Sequence, residues 1–237
     1  RELAAVQDVT IMAMASLAET RDNETGNHIR RTQHYVKVLA QHLSEHPRFS
    51  AALTPEDIPL LFKSAPLHDI GKVGIADRIL LKPGKLTPEE FEDMKRHPAL
   101  GRDAIIAAEK QLDTPVSFLR HAREIAYCHH EKWDGSGYPQ GLSGDGIPVS
   151  ARLMALADVF DALISRRVYK PPFDMEKSVE IIRQGRGLHF DPDVVDAFLA
   201  NLQTFRDIAD RYTDSEETLE ETRSRTEKDY PPSGARG

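Results

Sequence analysis

The sequence predicts an all-α protein, and three observations support this prediction. Apolar residues recur at alternating spacings of three and four along most of the 237 residues, which is the pattern of helices with one buried face. A hydroxyl residue followed by proline and two acids, a typical helix start, occurs at 54–57 and again at 87–90. No segment has the alternating pattern of a half-buried strand, and no internal repeat is present.

The first element is predicted to be an amphipathic helix within residues 1–20. Its apolar positions follow the helical spacing: Leu3, Val6, Thr10, Ala13 and Leu17. We expect this segment to be a connector from an N-terminal regulatory domain, able to pair with a second copy in a homodimer. The alternative is a helix that packs on its own domain.

Residues 21–210 are expected to form the main domain. Two of its helices follow the start signals at Thr54 and Thr87, and the others are predicted at 28–46, 118–131, 150–165, 175–184 and 191–202. Loops marked by Gly and Pro lie between the helices, at 82–84, 134–148 and 170–172. Residues 211–237 are rich in charge and poor in core-forming side chains, which predicts a solvated, disordered tail.

The composition excludes several classes of protein. With 40% hydrophobic residues and a formal net charge of −7, the chain fits a globular domain and lacks the basic excess of a DNA-binding or membrane-surface protein. No apolar run approaches the ~18 residues that span a bilayer. The single cysteine, Cys128, excludes a disulfide framework. We therefore expect a cytoplasmic protein, and its ten histidines are the feature that needs an explanation.

The adjacent pair His68-Asp69, followed by Lys72, is the main candidate for chemistry. An imidazole nitrogen and a carboxylate oxygen can bind one metal ion, and the second carboxylate oxygen can bridge to a neighbouring ion. Such a pair is also common on surfaces and at helix ends, so the interpretation depends on further ligands.

Two other segments offer candidate ligands in pairs. Glu24 and His28 lie four residues apart, on one face of a helix. His129 and His130 are adjacent, and neighbours on a helix diverge by ~100°. Both histidines can therefore bind only where two ions lie side by side or where the helix ends. The glycine-rich loop that follows favours a helix end.

Asp158 and His97 are single candidates. Asp158 lies in an otherwise apolar helix, and burying an unpaired carboxylate costs several kcal/mol, so it requires a cationic or metal partner. Asp161, one turn later, is interpreted as a capping or salt-bridging residue. His97 precedes Pro98 at a helix boundary, where its side chain can point inward.

The combined set of three carboxylates and five histidines suits two or three divalent first-row ions, such as Fe, Mn, Ni or Zn. Ions ~3.5–4 Å apart that share a nucleophile and clamp a phosphoryl group are the two-metal route to phosphoester hydrolysis. These residues therefore predict a metal-dependent phosphohydrolase.

The order of motifs resembles a known family. The motifs that carry the resemblance are Glu24…His28, His68-Asp69…Lys72, His97-Pro98, His129-His130-Glu131, Asp134-Gly-Ser-Gly-Tyr-Pro139 and Ala157-Asp158-Val-Phe-Asp161. Together they resemble the HD-GYP domain, a branch of the HD-domain phosphohydrolases, over residues 16–202. Gly137-Tyr138-Pro139 is the signature that separates this branch from other HD enzymes.

The resemblance implies a helical bundle around a bi- or trinuclear metal centre that hydrolyses the bacterial second messenger cyclic di-GMP to pGpG, and in some members to GMP. The implied metal ligands are Glu24, His28, His68, Asp69, His97, His129, His130 and Asp158. The implied catalytic residues are His68, Asp69 and Lys72. Glu24 favours three ions, because two-metal members often lack it. The other histidines are interpreted as surface or structural: His34, His42, His46, His121 and His189.

The resemblance also implies a substrate side. Tyr138 matches the tyrosine that lines the substrate site, and Arg167 with Lys170 matches the family's Arg-x-x-Lys phosphate contact. The chain departs from the family at Arg166 and Val168, where Asp and Pro are common. The additional positive charge favours a more anionic, linear dinucleotide.

Two alternatives stay open beside cyclic di-GMP hydrolysis. One is an HD-type hydrolase that prefers linear pGpG or another cyclic dinucleotide. The other is a non-catalytic dinucleotide receptor, although degenerate members usually lose a ligand and this chain keeps all of them. We further expect the domain to be the output of a signalling protein, joined to an N-terminal receiver domain of a two-component system.

Overall fold

The computed structural model describes residues 2–21, 26–112, 116–165 and 172–213. Within these ranges the chain forms helices and short 3₁₀ turns without a strand, which confirms the all-α prediction. The helices are α1 (Glu2–Glu19), α2 (Gly26–Leu43), α3 (Asp57–Ser64), α4 (Asp77–Leu80), α5 (Pro88–Met94), α6 (His97–Glu109), α7 (Ser117–Cys128), α8 (Val149–Ile164), α9 (Met175–Gln184), α10 (Pro192–Ala200) and α11 (Leu202–Arg211). In this described part, every helix is too short or too polar to cross a bilayer.

The predicted helix starts and ends agree with the structure in most places. Thr87 accepts a hydrogen bond from the backbone of Glu90 in a capping box, and the Asp191 side chain caps α10. Helix α3 begins at Asp57, three residues after the predicted cap at Thr54. Helices α4, α6 and α11 were not predicted as separate elements. Neither α4 nor α11 has a strong start signal of its own, and only residues 95 and 96 separate α6 from α5.

The main core surrounds α2, which packs against α3 and α8 and also contacts α10 and α11. Four aromatic rings form its centre: Tyr35, Phe160, Phe198 and Phe205. The Tyr35 and Phe205 rings are stacked with their centroids 4.5 Å apart. This core fixes α2 beside α8, and both helices contribute side chains to the candidate metal centre.

Helix α1 packs on the domain, but with a different face from the predicted one. Ile11, Ala15 and Ala18 are buried, whereas Val6 and Leu17 are 56% and 68% exposed. The predicted stripe was wrong because α1 carries apolar residues on more than one side, so spacing alone cannot identify the packed face.

The end of α1 is tied to the turn that follows the His68-Asp69 pair. The guanidinium of Arg21 donates hydrogen bonds to the carbonyl oxygens of Val73 and Ile75 and pairs with Asp77. A second core cluster, which includes Ile11 and Leu67, joins the same two regions. As a result, α1 is part of the support of this turn.

Some predictions lie outside the described residues. They concern Glu24, the segment around Arg167 and Lys170, and nearly all of the charged tail at 211–237.

Candidate metal centre

The pair His68-Asp69 connects two 3₁₀ turns, Ala65–Leu67 and Ile70–Gly74. The second turn lies directly against α6 because residue 71 is glycine. A Cβ atom at Gly71 would lie 2.0 Å from the carbonyl oxygen of His97 and 2.5 Å from the backbone nitrogen of Gly101. Only glycine permits this approach, and it brings Asp69 beside His97.

The three histidines of the next two segments lie at helix ends. His97 is the first residue of α6, just before Pro98, as predicted. Helix α7 ends at Cys128, and His129 is its C-cap residue, so His129 and His130 lie where the helix stops. This agrees with the inference that the helix ends at the two histidines, although α7 stops three residues before the end of the predicted helix 118–131. The helix end lets both rings face the same region, with their centroids 4.0 Å apart.

Seven of the eight predicted ligands come together in two groups. In the first group the ligand atoms lie within 4.8 Å of one another, and its members are Asp69, His97, His129 and His130. Oδ1 of Asp69 lies 3.2 Å from Nε2 of His97 and 3.5 Å from Nε2 of His129. This group joins the turn to the ends of α6 and α7.

The second group consists of His28 on α2, His68 and Asp158 on α8. Nε2 of His28 lies 3.3 Å from Nε2 of His68 and 3.7 Å from Oδ1 of Asp158. Oδ2 of Asp69 lies 3.4 Å from Nε2 of His68. Asp69 therefore has one oxygen toward each group, which is the arrangement of a bridging carboxylate.

Outer hydrogen bonds orient four of the imidazole rings. The Nδ1 atoms of three of them lie 2.8–3.0 Å from backbone carbonyl oxygens, in the pairs His68–Ala65, His97–Met94 and His129–Ile125. Nδ1 of His28 lies 2.9 Å from Oδ2 of Asp161. Because a carbonyl oxygen accepts only from a protonated Nδ1, the Nε2 lone pair is directed toward the centre.

Asp161 is fully buried and does more than the predicted salt bridge. It accepts from Nε of Arg31 at 2.7 Å as well as from His28. Burial alone would raise the pKa of Asp161, but the hydrogen bonds from His28 and Arg31 hold that pKa below its ordinary value. The carboxylate is therefore charged and fixes the His28 ring.

The charges of the first group suit a cation. Burial lowers the pKa of His129, and burial together with His129 and His97 holds the pKa of His130 well below its ordinary value, so both rings are neutral at pH 7. Burial would raise the pKa of Asp69. Lys72, whose Nζ lies 2.6 Å from Oδ2, and His68 instead hold that pKa well below its ordinary range.

Three atoms of this group fit a divalent ion because the protein leaves them without hydrogen bonds. Oδ1 of Asp69 and the Nε2 atoms of His97 and His129 are buried and have no hydrogen-bond partner in the described structure. A buried polar atom without a partner costs about 1–3 kcal/mol. Mixed imidazole and carboxylate donors are typical of first-row divalent metals, so the residues present fit such an ion.

The loop after the histidines folds back over His130. Glu131, which is buried, accepts from the backbone nitrogens of Gln140 at 2.7 Å and Leu142 at 3.0 Å. A Cβ atom at Gly137 would lie 2.3 Å from the backbone nitrogen of Lys132, so a side chain there would block the fold. This role of Glu131 was not predicted. The only feature of the sequence that could have pointed to it is its position directly after the two histidines.

The loop places Tyr138 at the centre. Its ring stacks on that of His130, with centroids 4.7 Å apart and planes 27° apart. Burial, together with the nearby carboxylates of Asp69 and Asp158, raises the pKa of Tyr138, so its hydroxyl stays protonated at pH 7. Two further predicted residues lie at the site and belong to neither ligand group. Tyr138 is the predicted substrate-side residue, and Lys72 is the predicted catalytic one.

The histidines that match no ligand position lie outside both groups. His121 is buried and its Nε2 lies 2.9 Å from Oδ1 of Asp57. His34 stacks on Tyr212, and His189 stacks on Phe190. These contacts agree with the predicted structural role.

Comparison with known proteins gives a consistent assignment. The model of the HD domain family matches residues 12–194. A probable cyclic di-GMP phosphodiesterase of Vibrio cholerae serotype O1 is 60% identical over 218 residues, which cover 92% of this chain and 49% of that protein. The 3′3′-cGAMP-specific phosphodiesterase 2 of the same organism is 41% identical over 192 residues, covering 81% of this chain and 34% of that protein.

A solved structure shares the fold. The HDG"Y"P protein Bd1817 from Bdellovibrio bacteriovorus is 20% identical, with a TM-score of 0.51 over 76% of this chain and 52% of that chain. The chain spans about half the length of the first curated relatives it matches. By its family match over 12–194 and its Gly137-Tyr138-Pro139 signature, this chain belongs to the HD domain family, in the HD-GYP branch.

Proposed function

We propose that this domain is a metal-dependent phosphodiesterase that hydrolyses cyclic di-GMP to pGpG and onward to GMP. The observation that carries the proposal is the bridging position of Asp69, which faces one ligand group with each oxygen. The named activity of the 60% identical relative supports the choice of substrate.

The proposed centre holds two or three divalent ions, with Fe, Mn, Ni and Zn as candidates. His28, His68 and Asp158 would hold one ion and His97, His129 and His130 another, with Asp69 shared. Glu24, outside the described residues, would serve a third. When bound, such ions polarise a phosphoryl group and make a coordinated water acidic enough to act as nucleophile.

The chain's own residues position the substrate and balance charge. The ammonium group of Lys72 lies beside the shared carboxylate, where a phosphoryl oxygen gains negative charge during hydrolysis. The protonated hydroxyl of Tyr138 is a hydrogen-bond donor at the same edge of the centre. Together these groups favour a phosphodiester oriented across both ligand groups.

Arg167 and Lys170 are proposed to bind the substrate phosphates. We expect Arg167→Ala to raise KM for cyclic di-GMP by roughly ten-fold or more, because a charge-assisted hydrogen bond to phosphate is lost. Steady-state kinetics with elemental analysis of the same sample tests this. Unchanged KM, or a loss of metal that accounts for the whole effect, would remove Arg167 from the substrate site.

A substrate panel tests the proposed function directly. Anaerobically purified protein of known metal content is given cyclic di-GMP, pGpG and 3′,3′-cyclic GMP-AMP, and the products are separated by chromatography. We expect the highest kcat/KM with cyclic di-GMP and pGpG as the first product. Faster cleavage of pGpG or of the mixed dinucleotide would favour an HD-type hydrolase of other specificity, and the name of one relative makes the mixed dinucleotide a specific alternative.

Dinucleotide binding without turnover at full metal occupancy would instead identify a receptor. The retention of both ligand groups argues against this alternative.

We also propose a place for the domain in a longer protein. Residues 1–20 would act as a connector and 21–210 as the catalytic domain, with an N-terminal receiver as regulator and a homodimer as the assembly. The greater length of the relatives supports the presence of further domains.

A further inference from the structure

A short surface helix, α5, lies beside the tyrosine of the candidate centre. The helix is held at its start by the Thr87–Glu90 capping box and has no buried residue. Its Phe91 ring lies edge-on to the Tyr138 ring, with centroids 6.3 Å apart and planes 80° apart. Because Tyr138 stacks on His130, Phe91 is two ring contacts away from a candidate metal ligand.

Phe91 is unusual in its exposure. The residue is 45% exposed, and among the large hydrophobic residues exposed in the described part of the chain it is the only aromatic one. An exposed phenylalanine at the edge of a polar centre is not explained by packing, since α5 has no buried residue and meets a core cluster only through Met94. Its open surface is a platform on which a flat ring can stack.

Lys95 adds a directed charge to this platform. Its Nζ lies 5.2 Å from the centroid of Phe91 and 5.8 Å from that of Tyr138, so the ammonium group lies near both rings. It also pairs with Glu92, which keeps the side chain on this face of α5. A lysine in this position can donate to acceptor atoms on the edge of a stacked base.

We propose that Phe91 and Lys95 form a nucleobase subsite next to the metal centre and that this subsite selects guanine. Phe91 would stack on the base, and Lys95 would donate to O6 and N7 of guanine. Adenine offers N7 but carries an amino group in place of the O6 acceptor, so it is bound less well. The inference rests on the proposed function for the orientation of the dinucleotide, with one phosphodiester at the centre and a base on α5.

The test uses binding, so that it does not depend on turnover. Ligand NMR titrations of the metal-loaded protein compare GMP, AMP and ribose 5-phosphate. We expect Phe91→Leu to weaken GMP binding roughly ten-fold and to leave ribose 5-phosphate unchanged, because leucine keeps apolar bulk but loses the aromatic face. Phe91→Tyr should restore GMP binding. Leu112→Ala, at another exposed apolar position, serves as the matched control and should change neither ligand.

Lys95→Met tests the selection of guanine separately. We expect it to reduce the preference for GMP over AMP and to leave the binding of ribose 5-phosphate unchanged. The proposal is overturned if Phe91→Leu binds GMP as tightly as the wild type. It is also overturned if GMP and ribose 5-phosphate weaken equally, or if Lys95→Met keeps the full GMP preference. Failure of the wild type to cleave cyclic di-GMP would reject the proposed function and leave this binding test intact.

Discussion

Asp69 is the residue on which the geometry of the centre depends, because its two oxygens face different ligand groups. A neutral amide of the same shape would offer one oxygen and one NH₂ group, and the NH₂ group cannot bind a cation. The bridge would therefore be lost while the packing around the turn stays the same.

We expect Asp69→Asn to lower the metal content and to reduce cyclic di-GMP hydrolysis by at least about a hundred-fold, since both ligand groups lose a shared anion. Elemental analysis and a product assay on one preparation measure this. Asp103→Asn, an exposed aspartate that pairs with Arg102, is the control and should keep both properties. Full metal content with normal turnover in Asp69→Asn would contradict the assignment of the centre.

Gly137 is the second residue for which the structure predicts a specific effect of substitution. Its missing Cβ is what lets the loop return over His130, because a methyl group there would meet backbone atoms within 2.3–2.6 Å. We expect Gly137→Ala to displace Tyr138 and to lower kcat/KM about ten-fold or more, as expected for a misplaced active-site group. Gly146→Ala, whose Cβ would have open space, should retain activity.

A Gly137→Ala protein with wild-type kinetics would show that the loop tolerates the substitution and that Tyr138 is not held by it. Thermal melting of both glycine variants separates a local displacement from a loss of folding.

At the scale of the elements, α7 links the centre to the rest of the bundle. Glu124 on this helix accepts from the Ser150 hydroxyl of α8 at 2.7 Å. Burial would raise the pKa of Glu124, but the nearby His121 ring, whose Nδ1 lies 3.7 Å from Oε2, and the hydrogen bond from Ser150 hold that pKa below its ordinary value of 4.5. A carboxylate whose pKa is lower in the folded than in the unfolded state stabilises the fold at pH values above its ordinary pKa. This stabilisation is lost as the pH falls through the pKa of the folded state.

We therefore expect Glu124→Gln to cost less than ~1 kcal/mol of unfolding free energy at pH 7, because the pair is partly exposed to solvent. The difference from wild type should shrink as the pH falls below 4.5. Urea unfolding at several pH values measures it, with Glu45→Gln as an exposed control. A difference that grows toward acid would contradict the stabilising role of the Glu124 carboxylate.

Helix ends were the part of the fold that the sequence predicted best, and the faces of helices were predicted less well. Thr87 and Asp191 carry local chemistry that marks a boundary. The packed face of α1 has no such mark, because apolar side chains occur on both of its sides. The face of α1 that is buried depends on the surface of the domain against which the helix packs, and that surface exists only in the folded chain.

For the site, residue types and their order predicted which side chains to consider, and the structure brings seven of the eight predicted ligands together. Their outer partners were not predictable in the same way. The rings of His68, His97 and His129 are oriented by backbone carbonyls, and every residue carries a carbonyl, so these contacts leave no trace in the sequence. Phe91 was missed because an exposed aromatic has no periodic pattern.

At the scale of the whole molecule, the centre cross-links segments that are distant along the chain. Its candidate ligands come from α2, α6, α8, the end of α7 and the turn between α3 and α4. A bound ion therefore stabilises the folded state and does not bind the unfolded chain with the same geometry.

We expect removal of metal by a chelator to lower the Tm by roughly 5–10 °C, as for a ligand at about a hundred times its Kd in a domain of this size. Differential scanning calorimetry with and without chelator measures this, and readdition of metal should restore the Tm. The Tm of Asp69→Asn should respond much less to the chelator. An unchanged wild-type Tm after complete metal removal would contradict the cross-linking role.

The contacts of Arg21 couple the end of α1 to the turn that carries Asp69. The Arg21 guanidinium binds two carbonyls and a carboxylate just beyond the His68-Asp69 pair, so the position of the helix end and that of the turn depend on each other. A displacement of the end of α1 would therefore reach the turn of the candidate ligand Asp69 through these contacts, without a ligand having to enter the centre.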